Sequence, residues 1–181
     1  MSIVLQGSTS GSVTLQEPAV AGTTVLTLPA VTGTVLTDTS PKVGNVLQVV
    51  SVNYSTSTST TSGSFVDLGL SASITPTSSS SKILAIACLS AVYKNGANSS
   101  VGVNIVRGST EIVKFSENTL SYTNTTGASG TSTTMNYLDS PATTSSTTYK
   151  IQFKNGSGTG TNVTINDSNV TSTLTLMEIA G

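Results

Sequence analysis

The chain is 181 residues long, 36% hydrophobic and only 8% charged, with a formal net charge of −1 and neither histidine nor tryptophan. Seven Lys+Arg against eight Asp+Glu, with no basic cluster, cannot neutralise a run of phosphates, so nucleic acid is excluded as an expected partner. The longest apolar run, residues 83–89, is far shorter than the roughly 20 residues of a membrane helix, and the start lacks the basic and long apolar regions of a secretory signal; neither membrane nor export is expected, and synthesis is expected in the cytoplasm.

The apolar residues come in short Val/Ile/Leu runs that can build a core, and the length suits one domain with an attached segment. The first part of the chain carries a repeat. Gly11-Ser12-Val13-Thr14-Leu15, Gly22-Thr23-Thr24-Val25-Leu26 and Gly33-Thr34-Val35-Leu36-Thr37 recur at a spacing of 11, and Pro18-Ala19-Val20-Ala21-Gly22-Thr23 is echoed by Pro29-Ala30-Val31-Thr32-Gly33-Thr34. Each unit has the form of a short strand closed by proline and a glycine turn. One such unit buries too little to offset its own ordering, so the strands must lean on sister chains or a foreign surface; the alternative is a flexible leader. Residues 1–40 are assigned as an extended N-terminal β arm, with Val13, Leu15, Val25, Leu26 and Leu28 as its anchoring residues.

A boundary falls at Thr39-Ser40-Pro41-Lys42-Val43-Gly44-Asn45, and residues 45–181 follow as a second domain. Predicted strands run over 46–54, 65–68, 82–93, 101–106, 111–115, 133–138, 149–153, 162–165 and 171–179, with no helix. The tracts 55–64 and 75–81 are predicted loops, and the apolar centre of 82–93 predicts a central strand buried on both faces. Asn95-Gly96 is the clearest tight-turn signal, and 107–110 closes a hairpin. Strands of this number and spacing predict an all-β jelly-roll sandwich.

Catalytic chemistry finds little support. Without histidine there is no Ser-His or Cys-His pair and the commonest metal ligand is missing. Cys88, within an apolar run, is expected to be a small buried hydrophobe. The glycine-rich 155–160 lacks the Gly-Lys-Ser/Thr of a phosphate loop and is expected to be a hairpin loop. Asp67, Glu111, Glu117, Asp139 and Asp167 are expected on separate elements, with no pair spaced for glycan cleavage, and Asp139 before Ser140-Pro141 is expected to be a turn former. No enzyme activity, metal or cofactor is expected.

Several stretches resemble a recurrent module of tailed-phage virion proteins: Gly11-Ser12-Val13-Thr14-Leu15-Gln16 through Leu28-Pro29-Ala30, Val46-Leu47-Gln48-Val49-Val50-Ser51-Val52, Phe65-Val66-Asp67-Leu68-Gly69-Leu70-Ser71-Ala72-Ser73-Ile74-Thr75-Pro76, Leu138-Asp139-Ser140-Pro141-Ala142-Thr143-Thr144, and Thr173-Leu174-Thr175-Leu176-Met177-Glu178-Ile179-Ala180-Gly181. The resemblance covers most of the chain and lies in turns and strands. It implies a jelly roll of the tumour-necrosis-factor or complement-C1q type and a homotrimer. With no long heptad stalk and no collagen-like tract, it further implies a capsid decoration, or cement, protein whose arm bridges major capsid subunits on the virion. The alternative is a head- or tail-fibre module that binds a host surface glycan through loops 55–63, 94–100, 121–132 and 155–161.

Overall fold

A computed structural model describes residues 3–6, 8–15, 42–158 and 160–181. The chain divides into two compact units, 1–35 and 36–181. In the first, β1 (Ile3–Gln6) and β2 (Ser12–Leu15) form an antiparallel hairpin with Ile3 opposite Leu15 and Gln6 opposite Ser12. The strand of the first repeat unit therefore has a partner within its own chain on one edge.

The second unit is a jelly roll. Its strands are β3 (Val46–Tyr54), β4 (Thr58–Thr60), β5 (Val66–Ile74), β6 (Lys82–Asn95), β7 (Ser99–Arg107), β8 (Thr110–Thr123), β9 (Ala128–Asp139), β10 (Thr147–Asn155), β11 (Val163–Ile165) and β12 (Ser172–Ile179). One sheet has the order β3-β12-β6-β9 and the other β5-β10-β7-β8, so these eight strands, taken in chain order, alternate between sheets except at the β7–β8 hairpin. The short β4 and β11 extend the first sheet beyond the end of β12, where Val163 and Thr164 pair with Lys94 and Tyr93 of β6.

The alternation that predicts these strands also builds the core. In β5, Leu68, Leu70, Ala72 and Ile74 are buried while Asp67, Gly69, Ser71 and Ser73 face outward. They meet Ile83, Ala85, Ala87, Leu89 and Val92 of β6, Leu174 and Leu176 of β12, and Tyr149, Ile151 and Phe153 of β10 in one continuous cluster. Two glycines are fixed by close approach: a Cβ on Gly69, at φ +100°, would lie 2.7 Å from the Tyr54 hydroxyl, and one on Gly130 would lie 2.6 Å from the Tyr93 ring. Each tyrosine thus covers the backbone gap left by a glycine on its own sheet or the facing one.

Several expectations are corrected. Strand β6 is central, but only one of its faces is fully buried; Leu84, Ile86 and Cys88 on the other are half-exposed, so Cys88 is not a core residue. Asn95-Gly96 does not close a hairpin, because β6 and β7 belong to opposite sheets; the chain turns a corner, with Gly96 at φ +143° and Asn98 at φ +52°. The segment 155–160 likewise crosses between sheets, from β10 to β11. The 55–64 tract contains β4, and β8 and β9 run on to Thr123 and back to Ala128, leaving only a short connection where 121–132 was expected to be loop. One turn of 3-10 helix, Asp167–Asn169, precedes β12.

Candidate interaction surfaces

The two outward faces of the sandwich differ in chemistry. On the β5-β10-β7-β8 sheet, Asp67 accepts hydrogen bonds from Lys150 Nζ (2.9 Å) and Gln152 Nε2 (2.6 Å). Lys114 pairs with Glu117 at 2.7 Å and approaches Glu111 at 3.7 Å, and Lys154 also pairs with Glu117 while lying 4.9 Å from the Phe65 ring centre. Hydrogen bonds from Gln152 and then Lys150 hold the Asp67 carboxyl below its ordinary pKa, and those from Lys114 and then Lys154 do the same for Glu117. Glu111 and Glu117, expected on separate elements, share β8 and are joined through Lys114.

Among the described residues the outward face of β3-β12-β6-β9 carries no such ion pair, and the exposed Lys82 stands at its end, opposite Ile179. The pairing register aligns Val49, Met177, Leu84 and Leu138 in one row across four strands, with Val49 55% and Leu138 48% exposed. The next rows are Ser51-Thr175-Ile86-Asn136 and Asn53-Thr173-Cys88-Thr134. Farther along, an irregularity between Leu89 and Val92, with Ala91 at φ +45°, opens a cleft of about 430 Å³ lined by Ser90, Tyr93, Gly130, Ser132 and Val170, among others.

The ends of the domain differ too. At one, the chain enters β3 beside the C-terminus, with Gly44 N donating to Ala180 O and Ala180 N to Asn45 O, both at 2.8 Å. Here Glu178, fully buried, accepts from Gln48 Nε2 (2.5 Å) and from the amide and hydroxyl of Thr77 (2.7 Å each). Burial pushes its pKa up, but the hydrogen bonds it accepts, from Gln48 first and from Thr77, outweigh burial and leave it lowered. Asp139 sits at the same end, accepting from Arg107 and Tyr149 rather than capping turn amides. At the other end, the segments 55–63, 94–100, 121–132 and 155–161 are stitched together: Asn155 N to Ser62 O, Asn95 N to Asn162 O, Asn98 N to Thr123 O and Gly156 N to Ser100 O. Lys94, fully buried beneath them, donates to Gly96 O at 2.7 Å and Thr125 O at 3.2 Å.

Of the five predicted anchoring residues, Val13 and Leu15 lie on β2 opposite Leu5 and Ile3, described for their backbone. Val25, Leu26 and Leu28 fall outside the described residues. Sequence reasoning did not find the apolar row, because its members come from four separate strands; their outward alternation with buried neighbours was the available signal.

No family model matches the chain, and no curated protein matches it. Among solved structures it is similar to the infectious bursal disease virus VP2 subviral particle, at 15% identity and TM-score 0.40 over 74% of this chain and 37% of that one. A structure of the Gx strain of the same virus gives 15% identity and TM-score 0.37 over 98% and 45%. The chain therefore spans less than half the length of either.

Proposed function

We propose that this chain is a structural protein of a phage virion, a decoration or cement protein that assembles as a homotrimer on the capsid surface and bridges major capsid subunits through its N-terminal arm. The observation that carries this reading is the polarity of the jelly roll: its N-terminal connection enters at one end, tied to the C-terminus, while its loops gather at the other. A module held from one end and displayed from the other suits attachment by an arm. Resemblance to tailed-phage virion modules supports the setting, and the repeat of short Val/Leu/Thr strands suits strand addition, in which backbone hydrogen bonds supply affinity. The test is binding to particles stripped of the protein. Deleting residues 1–38, or replacing Leu15, Leu26 and Leu28 by Asp in the full chain, abolishes binding and leaves the trimer; retained binding refutes the anchoring role.

A second reading, recognition of a host surface glycan by a fibre module, is favoured by the convergence of 55–63, 94–100, 121–132 and 155–161 on one end. Copy number on the particle separates the two. Hundreds of copies over the head support decoration, and a few at the tail support adhesion.

A further inference from the structure

The tetrapeptides Tyr93-Lys94-Asn95-Gly96 and Phe153-Lys154-Asn155-Gly156 share one pattern, aromatic-Lys-Asn-Gly, where β6 and β10 end. Asparagine followed by glycine is chemically labile, because a residue without a Cβ leaves its amide nitrogen open to attack the preceding side-chain carbonyl. Sequence alone gives both sites the same prospect. The fold separates them. Asn155 is fully buried; its Nδ2 donates to Thr161 O at 2.7 Å and its Oδ1 accepts from Ser157 N at 3.0 Å. The Gly156 nitrogen that would attack it is engaged with Ser100 O at 2.9 Å. Asn95 is exposed, and among the described residues no hydrogen bond holds its side-chain amide.

We infer that Asn95 is a site of spontaneous modification, deamidating through a cyclic imide, while Asn155 is protected. The Gly96 nitrogen, having lost its proton to solvent base, attacks Asn95 Cγ. The N–Cγ bond forms, the Cγ–Nδ2 bond breaks, and Nδ2 leaves as ammonia after taking a proton from water. A second water adds to one of the two imide carbonyls. Cleavage at Cγ gives aspartate; cleavage at the α-carbonyl gives isoaspartate, whose backbone is one methylene longer. Either product adds a negative charge at the end where the four loop segments gather. The longer backbone does not fit the corner. Gly96 sits at φ +143°, and a Cβ there would lie 2.7 Å from Thr161 Cγ2, so there is no slack on that side. The Gly96 carbonyl also accepts from the fully buried Lys94 Nζ at 2.7 Å, and displacing it takes one of two carbonyl acceptors from that ammonium.

The test is storage of the full-length protein at mildly alkaline pH, with peptide mass spectrometry for the mass gain of deamidation and enzymatic methylation for isoaspartate. Asn95 is expected to convert at least about tenfold faster than Asn155, because a buried site reacts only through local opening. In urea the two sites, alike in sequence, convert at similar rates. Equal rates in the folded protein, or no conversion at Asn95, overturn the inference. A difference of the same size that persists in urea also overturns it, because its cause is then local sequence and not the fold. Asn95→Gln, whose longer side chain closes an imide far more slowly, removes the methylation signal of the folded protein; an undiminished signal overturns the site. The isoaspartyl fraction, separated by ion exchange, unfolds at a lower urea concentration than the unmodified protein, and an unchanged midpoint overturns the loosened corner.

Discussion

The hydroxyl of Tyr149 donates to Oδ2 of Asp139 at 2.6 Å, joining β10 of one sheet to β9 of the other. Arg107 adds a two-point contact from β7, its Nη1 lying 2.9 and 2.7 Å from the two Asp139 oxygens. Asp139 is 6% exposed, so these two donors stand in for the water its oxygens have lost. Burial, then the hydrogen bond to Asp139, pushes the Tyr149 phenol far above its ordinary pKa. Tyr149→Phe removes one charge-assisted bond and is expected to lower stability by about 1.5–3 kcal/mol. Asp139→Ala strands the buried phenol as well and is expected to cost more, about 3–5 kcal/mol. Urea denaturation followed by circular dichroism measures both; equal losses would show that Arg107 adds nothing beyond the phenol, and no loss in Tyr149→Phe would show that Arg107 alone satisfies the carboxylate.

The glycine–tyrosine pairs differ in a way that a double-mutant cycle resolves. The three atoms nearest a Cβ at Gly130 all belong to the Tyr93 ring, so the cost of Gly130→Ala, about 1–3 kcal/mol, should largely vanish in a Tyr93→Ala background. Gly69 is at φ +100°, so Gly69→Ala remains strained by about 1 kcal/mol or more after Tyr54→Ala removes the clash. Similar residual costs at the two positions would contradict this assignment.

Neighbours on β12 test the two faces of one strand. Leu176 is fully buried between the sheets, and Leu176→Ala is expected to cost about 2–5 kcal/mol. Thr175 faces outward and shares an exposed hydroxyl contact with Ser51 at 2.9 Å; Thr175→Ala should stay within about 0.5 kcal/mol. Thermal unfolding of both variants at one protein concentration makes the comparison.

The strands of the sandwich were legible because period-two alternation writes a buried face directly into the sequence, as in Leu68, Leu70, Ala72 and Ile74. Which sheet each strand joins was not legible. Asn95-Gly96 permits a turn of either kind, and the choice is made by Val101, Val103 and Ile105 packing across the core from β6. Asp139 beside Ser140-Pro141 carried a local turn signal, yet its role comes from Tyr149 and Arg107, which only the fold brings near. The residues proposed to anchor the arm show their apolar character in sequence. The row formed by Val49, Leu84, Leu138 and Met177 was hidden, because each is an ordinary strand residue until register aligns them.

The pH dependence of stability follows from three carboxylates. Asp67, Glu117 and Glu178 all have folded-state pKa values below their ordinary ones, so the unfolded chain binds their protons more tightly. Their stabilisation is complete above the unfolded values, 3.8 for Asp and 4.5 for Glu, and is lost as pH falls through the lower folded values. With no histidine in the chain, no side chain of ordinary pKa titrates between about pH 5 and 8. The urea midpoint should therefore be nearly flat from about pH 8 to 5 and fall steadily below about pH 4.5. Glu178→Gln places an amide against the Thr77 and Gln48 donors and should lower stability at pH 7 by about 1–3 kcal/mol while making the acid fall shallower. An acid limb of unchanged steepness in that variant would assign the dependence to Asp67, Glu117 and the remaining carboxylates instead.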